Sequence, residues 1–328
     1  MDTDKDLEWQ RQAKWLPENL LKIMNSEMDT GALTLSQAHV LTVQQYVRYV
    51  RSLPSSPNDL IRCLSVSGML ADKASVYSAL TGAPGLDPSS LLIFYRQFKE
   101  HADSWEVLFA TNLRLTSDLI AAASQIARTG SDILEACART DALGKRRDAW
   151  DSLQGGELAL LSPADREIIS SLPAHVNSIK QYITTYSLQV ERVRADASRF
   201  CDEARTQLIP VTLSKLKELA RHLRPSTKIA RLDMPVLSTL HQRTTSQLDH
   251  LQTLERLLRE TLTASSHFHS AWQSLSSYID MSNEKLQQIT TGQQLARFAI
   301  YFGQFLGLWG AIEQSAREMK HKLTQFQG

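Results

Sequence analysis

Apolar side chains recur along much of this chain at alternating steps of three and four residues. The clearest run is Leu295, Phe298, Phe302, Phe305, Trp309, Ile312, Ala316, Met319 and Leu323. That spacing is a heptad seam, which predicts a helix packed along its whole length. Just before it, Leu275, Ile279, Ser282, Leu286 and Ile289 keep a different register, and Thr290-Thr291-Gly292 resets the phase. Upstream, Ile179, Ile183, Tyr186, Val190, Val193, Ala197, Phe200 and Ala204 form a third seam. Pro210 is expected to interrupt it, because proline lacks the amide donor and clashes with the preceding turn. Leu213, Leu216, Leu219 and Leu223 carry on beyond. Arg224-Pro225-Ser226-Thr227 reads as a hairpin tip, and a return helix carries Leu237, Leu240, Leu248, Leu251, Leu258 and Leu262.

The first half is less regular but still helical. Trp9, Trp15 and the Leu20 to Met24 cluster predict a short N-terminal helix ahead of Asp29-Thr30-Gly31. Thr34 and Gln37 offer a capping box for a helix with Val40, Val43, Val47 and Val50 on one face. Leu53-Pro54 ends that helix, and Pro57-Asn58-Asp59 starts another. Asp87-Pro88, after the break at Gly82-Ala83-Pro84-Gly85, is a strong start signal. From Leu91 to about Ala138 there is no proline and only Gly130 as glycine, so one helix of about 70 Å is expected at 1.5 Å per residue. Residues 144–162 read as a loop or short helix, and Ser162-Pro163 with Asp165 begins the next long one. Long helices joined by short turns fold back on one another. The fold class is therefore all-α, an elongated antiparallel coiled-coil bundle.

Composition narrows the function. The chain has 328 residues, 42% hydrophobic and 22% charged, which is globular usage rather than disorder. A formal net charge of +1 supplies no global field for nucleic acid, so none is expected as a partner. Cys63, Cys137 and Cys201 lie far apart and read as small buried hydrophobes. The acidic, polar N-terminus lacks the pattern of a secretory signal. The protein is expected to be soluble when made and, if it acts outside the cell, to be released by another route.

No cluster suggests catalysis. His267 and His269 are two apart on a helical pattern and point in different directions, so no metal is expected. Gly144-Lys145 lacks the upstream glycine of a phosphate loop and is followed by Arg146 where a hydroxyl belongs. No nucleophile elbow or catalytic cysteine context occurs. The expectation is a protein without enzymatic activity or cofactor.

Two segments invite a membrane. Lys215, Lys217, Arg221, Arg224, Lys228 and Arg231 interleave with Leu213, Leu216, Leu219, Leu223, Ile229, Leu232 and Met234. Either this is a solvated face on ordinary helices, or it is a membrane-proximal tip with basic groups on anionic headgroups and leucines dipping below. Residues 295–312 approach membrane-span length, and Gly303 and Gly307 have GxxxG spacing. Arg297 is costly in lipid and the seam continues into a polar stretch, which favours burial at the bundle centre. Trp105, Trp272, Phe298, Phe305, Trp309 and Ile312 are the expected core.

The stretch from Ala271 to Met319, with Trp272, Leu275 and Ile279 at its start and Phe298, Trp309, Ile312 and Ala316 at its finish, resembles the closing helices of the α-xenorhabdolysin family. These are binary α-helical pore-forming toxins of cytolysin A-like architecture. Tyr46-Val47 with Leu53-Pro54, then Gly85-Leu86, Tyr95, Ala102 and Trp105, resemble the first helices of the A-type component. The resemblance implies a five-helix body (residues 1–207 and 241–328) and a short tip or head hairpin (208–240). It also implies a second toxin subunit as partner and assembly with it on a target-cell lipid membrane. The tip here is shorter and more basic than in A-type members, so A-type, B-type and accessory roles stay open. The alternative is a coiled-coil scaffold acting by partner binding alone, with an enzyme as a third reading.

Overall fold

The computed structural model describes residues 4–26, 37–64, 80–81, 86–153, 159–223 and 234–325. Those residues are almost all helical, with one isolated bridge pairing Leu160 and Thr291. The helices are α1 (Asp4–Ser26), α2 (Gln37–Arg51), α3 (Pro57–Leu64), α4 (Pro88–Ala138), α5 (Trp150–Leu153), α6 (Pro163–Glu203), α7 (Ile209–His222), α8 (Met234–Gln288), α9 (Gly292–Leu306) and α10 (Trp309–Thr324). A 3-10 turn (Arg147–Ala149) precedes α5, and a π turn (Ala204–Leu208) joins α6 to α7. The capping box expected at Thr34 and Gln37, the break at Gly82–Gly85 and the tip at Arg224–Thr227 fall wholly or partly outside the described residues.

The chain divides into two compact units. One comprises Met1–Gln37, Thr111–Arg194 and Thr263–Gly328, the other Ala38–Ala110 and Ala195–Leu262.

In the first unit the heptad seams become its core. All nine residues of the Leu295–Leu323 seam are buried, from Leu295, Phe302, Phe305 and Trp309 at 0% exposure to Met319 at 8%. Contacts between helices set their directions. Trp272 meets Trp309 and Tyr278 meets Phe305, so α8 and α9–α10 form an antiparallel hairpin. Lys180 pairs with Asp280 and Tyr186 packs on Trp272, which makes α6 antiparallel to α8. Trp9 stacks on Phe298 while Ser315 donates to Asn25, so α1 runs parallel to α9–α10. Gly130 brings α4 against α9 at closest approach, since a Cβ there would run into the Leu306 side chain. Of the expected GxxxG pair, Gly303 faces Leu134 across the helices, whereas Gly307 lies near only its own helix backbone.

The turn between α8 and α9 is held from both sides. Thr291 accepts from the Gln294 amide, and the Gln294 side chain accepts from the Thr291 amide, completing a capping box. Leu161 N–H donates to Thr290 O, and Gly292 N–H donates to Ala159 O. Replacing Thr291 with alanine is expected to cost about 1 kcal/mol, measured by chemical denaturation. A change below about 0.3 kcal/mol would mean that the 159–161 segment alone holds this turn.

Two elements depart from the sequence reading. The N-terminal helix is not short: it runs 23 residues straight through Pro17. An internal proline costs about 3 kcal/mol, and the burial of Trp9, Ala13, Leu16, Leu20 and Met24 along one side offsets it. Pro210, expected to interrupt the helix, does not end it. The chain passes from α6 through the π turn into α7 without leaving helical geometry. The wider turn accommodates the proline ring and its missing donor.

Candidate functional site

The second unit contains the described part of the basic, leucine-rich segment. On α7, Thr212 and Leu219 are buried at 0% and 1% exposure, and Thr212 returns its hydroxyl to Leu208 O at 2.7 Å. Leu216, Leu223 and Lys215 are half-buried, and the Lys215 ammonium sits 3.2 Å from Glu218. Val211 and Leu213 are exposed at 37% and 40%, and Lys217 and Arg221 are also exposed. The helix therefore presents two large apolar side chains and two cations to solvent, while one of the four leucines belongs to the core. Arg224, Lys228, Ile229, Arg231 and Leu232 lie outside the described residues, as does the side chain of Met234.

The rest of this unit is pinned by a buried polar contact between three helices. Tyr46 O–H (α2) lies 2.8 Å from His101 Nδ1 (α4), and His101 Nε2 lies 3.0 Å from Phe200 O (α6). A carbonyl only accepts, so Nε2 carries the proton and Nδ1 accepts from the tyrosine. The imidazole also stacks on Phe200 at 4.0 Å, and Phe200 meets Trp105 at 6.0 Å. Burial drives the imidazole pKa down to about 4, against the opposing pull of the Phe200 carbonyl. Trp105 is 4% exposed. The histidine did not stand out in the sequence, because a lone histidine on an apolar face has no motif, and Tyr46 entered there only through the family resemblance.

The other candidate, 295–312, lies in the first unit. Together α9 and α10, Gly292–Thr324, are long and apolar enough to cross a membrane, with mean hydropathy 1.3 over a window that is 44% buried. Length and composition are also those of a core helix, and this one carries an aromatic ladder. Phe298, Phe302, Phe305 and Trp309 follow one another at centroid distances of 5.2, 5.8 and 5.6 Å. Trp272 meets Trp309 at 5.9 Å, and Ile312 is fully buried. Trp9, from α1, completes the cluster on Tyr278 and Phe298 and donates its Nε1–H to Ser282 Oγ at 2.9 Å. Tyr186 O–H, Trp272 Nε1 and Trp309 Nε1 are buried without hydrogen-bond partners. Burial raises the Tyr186 hydroxyl well above its usual pKa, with the Asp118 carboxylate adding to the effect.

Among the described residues no group of three or more His, Cys, Asp or Glu side chains is placed to hold a metal ion. His269 instead lies 3.7 Å from Glu191. A cleft of about 460 Å³ is lined by Asp141, Ser152, Leu160, Asp165 and Gln293 among others. Its buried carboxylate, Asp165, accepts from the Asp141 amide at 2.8 Å, which ties the turn after α4 to the start of α6.

No protein-family profile matches the chain, and no curated protein matches it. Solved structures do align over most of its length. One is XaxA from Xenorhabdus nematophila, 15% identical, covering 90% of this chain and 98% of the other with TM-score 0.33. Another is YaxA from Yersinia enterocolitica, 16% identical, covering 88% and 97% with TM-score 0.43. A third is the HblL1 toxin component of Bacillus cereus, 9% identical, covering 94% and 96% with TM-score 0.49. At these identities and scores the likenesses carry no inference about activity.

Proposed function

We propose that the protein is one component of a multi-component α-pore-forming toxin, not an enzyme, soluble when released and then bound to a target membrane with a second subunit. The observation that carries this reading is the outer face of α7, where Val211 and Leu213 stand exposed beside Lys217 and Arg221. Cations that meet anionic headgroups above apolar side chains are the chemistry of an interfacial helix. The resemblance of residues 33–54, 85–108 and 271–319 to the α-xenorhabdolysin family supports it. So does the burial of Phe298, Phe302, Phe305, Trp309 and Ile312, which keeps the aromatic side of a membrane-length apolar segment away from water. On this reading the 208–240 segment is the tip, and the remainder of the chain is the body that carries it.

The test is dye release from liposomes and red cells, with the purified chain alone and mixed with the product of an adjacent reading frame of similar helical pattern. Leakage only in the mixture is the expected result. Silence in both, with both proteins folded, would favour a coiled-coil scaffold. Replacing Leu216, Leu219, Leu223 and Ile229 together by serine is expected to abolish leakage. Leu219 is part of the core, so Leu213→Ser, at an exposed position, is the companion variant and is expected to weaken membrane binding without lowering the melting point. Undiminished leakage from both variants would overturn the assignment of this segment.

A further inference from the structure

The buried stripe along α6 and α7 changes phase by one residue at the π turn. Ala197, Phe200 and Ala204 follow three-four steps, and all are buried. Keeping that phase would next turn in Gln207, Val211, Ser214 and Glu218. Instead the inward positions are Leu208, Thr212 and Leu219, with Lys215 half-buried between them; of the other set Gln207, Val211 and Ser214 are exposed and Glu218 is half-buried. The π turn thus holds one residue more than the heptad needs. In an α-helix one residue is worth about 100° of rotation and 1.5 Å of rise.

We propose that Ala204–Leu208 is a register switch that turns α7 about its own axis. In the π register, the one seen here, Leu219 is inside and Leu213 outside. Closing the turn to regular α geometry rotates α7 by about 100°. Leu213, Leu216, Leu219 and Leu223 then come together on the outward face, and Gln207, Val211, Ser214 and Glu218 turn in. Two opposed costs make the element bistable. A π turn is an uncommon, poorly bonded geometry, which favours the α register. Exposing three further leucines and turning Glu218 toward the core favours the π register in water. A lipid surface removes the first of these last two terms, since the leucine row enters the apolar layer, and so it discriminates between the states. The switch rests on the membrane role proposed above and says how the leucines of the tip become available.

A single-residue deletion separates the two registers. Thr206 is exposed, and its hydroxyl donates to Asp202 O at 2.7 Å within its own helix. Deleting it gives an unbroken heptad with the leucine row locked in its resting orientation. The expected melting point stays within about 4 °C of the parent, the size of shift that about 1 kcal/mol produces. Both chains are then added to phosphatidylcholine and phosphatidylglycerol vesicles carrying a diazirine-tagged phospholipid, irradiated and mapped by mass spectrometry. The parent is expected to be labelled at Leu216, Leu219 and Leu223, and the deletion variant at least about tenfold less at Leu219, which stays in the core. Equal labelling of the two chains, or a parent labelled on α7 only at Val211 and Leu213 or only outside α7, overturns the switch and leaves the membrane role standing. A parent that takes no label anywhere overturns the membrane role itself. If deletion of Thr206 and a second deletion, of Gln207, both abolish the cooperative melt, the turn holds no spare residue and the switch falls.

Discussion

Replacing Trp309 with alanine is expected to lower the unfolding free energy by about 3–5 kcal/mol, the range for truncating a buried tryptophan. The indole is fully buried and meets Trp272 and Phe305 at 5.9 and 5.6 Å. Its removal therefore takes away a large apolar area and leaves a hole between α8 and α10 that rigid neighbours cannot fill. One term works the other way: Nε1–H has no partner, so losing it relieves a desolvation cost of about 1–3 kcal/mol. Trp309→Phe, which keeps most of the ring and drops the donor, is accordingly expected to cost less than about 1.5 kcal/mol. Urea denaturation of the two variants measures both numbers. A loss under about 1 kcal/mol for the alanine variant would contradict the central place of Trp309 in this unit.

The second large effect is a loss of stability in acid that depends on His101. Its folded pKa of about 4 lies below the usual value near 6.5, because a buried imidazolium would lose its hydration. Protonation would also leave Nδ1 unable to accept from Tyr46. Between these two values the unfolded chain binds a proton that the folded chain does not, so stability is complete above about pH 6.5 and falls as pH drops toward 4. At 1.36 kcal/mol per unit the full window is worth about 3 kcal/mol. His101→Asn is expected to be less stable at pH 7.5, where two hydrogen bonds are compromised, yet to show a shallower decline between pH 6.5 and 4.5. Denaturation of both chains across that range tests it. Parallel slopes would mean that the imidazole is protonated in the folded state.

The seams were legible in the sequence because a buried face on a long helix imposes a repeat that a reader can follow. Ile179 through Ala204 and Leu295 through Leu323 lie along that repeat, and each of these residues is buried. The start at Asp87-Pro88 was legible for a different reason: capping uses local chemistry, and Asp87 accepts from the Ser90 amide at 3.0 Å. The start of α9 was half legible, since the Thr290-Thr291-Gly292 reset was visible but the 159–161 segment that holds it is more than a hundred residues away. Pro210 was misleading. Local rules set a proline against a helix, and only a widened turn before α7 overcame them.

What the sequence determined by itself was therefore the class of fold, the long helices and most of the core, all of which follow from periodicity and caps. Which leucine of the row Leu213, Leu216, Leu219 and Leu223 is covered was decided by tertiary structure, because no local rule says how the chain is absorbed in the π turn at Ala204–Leu208. The His101 contact was likewise beyond the sequence. Its three members, Tyr46, His101 and Phe200, come from helices far apart in the chain, and their chemistry depends on burial, which exists only once those helices have packed.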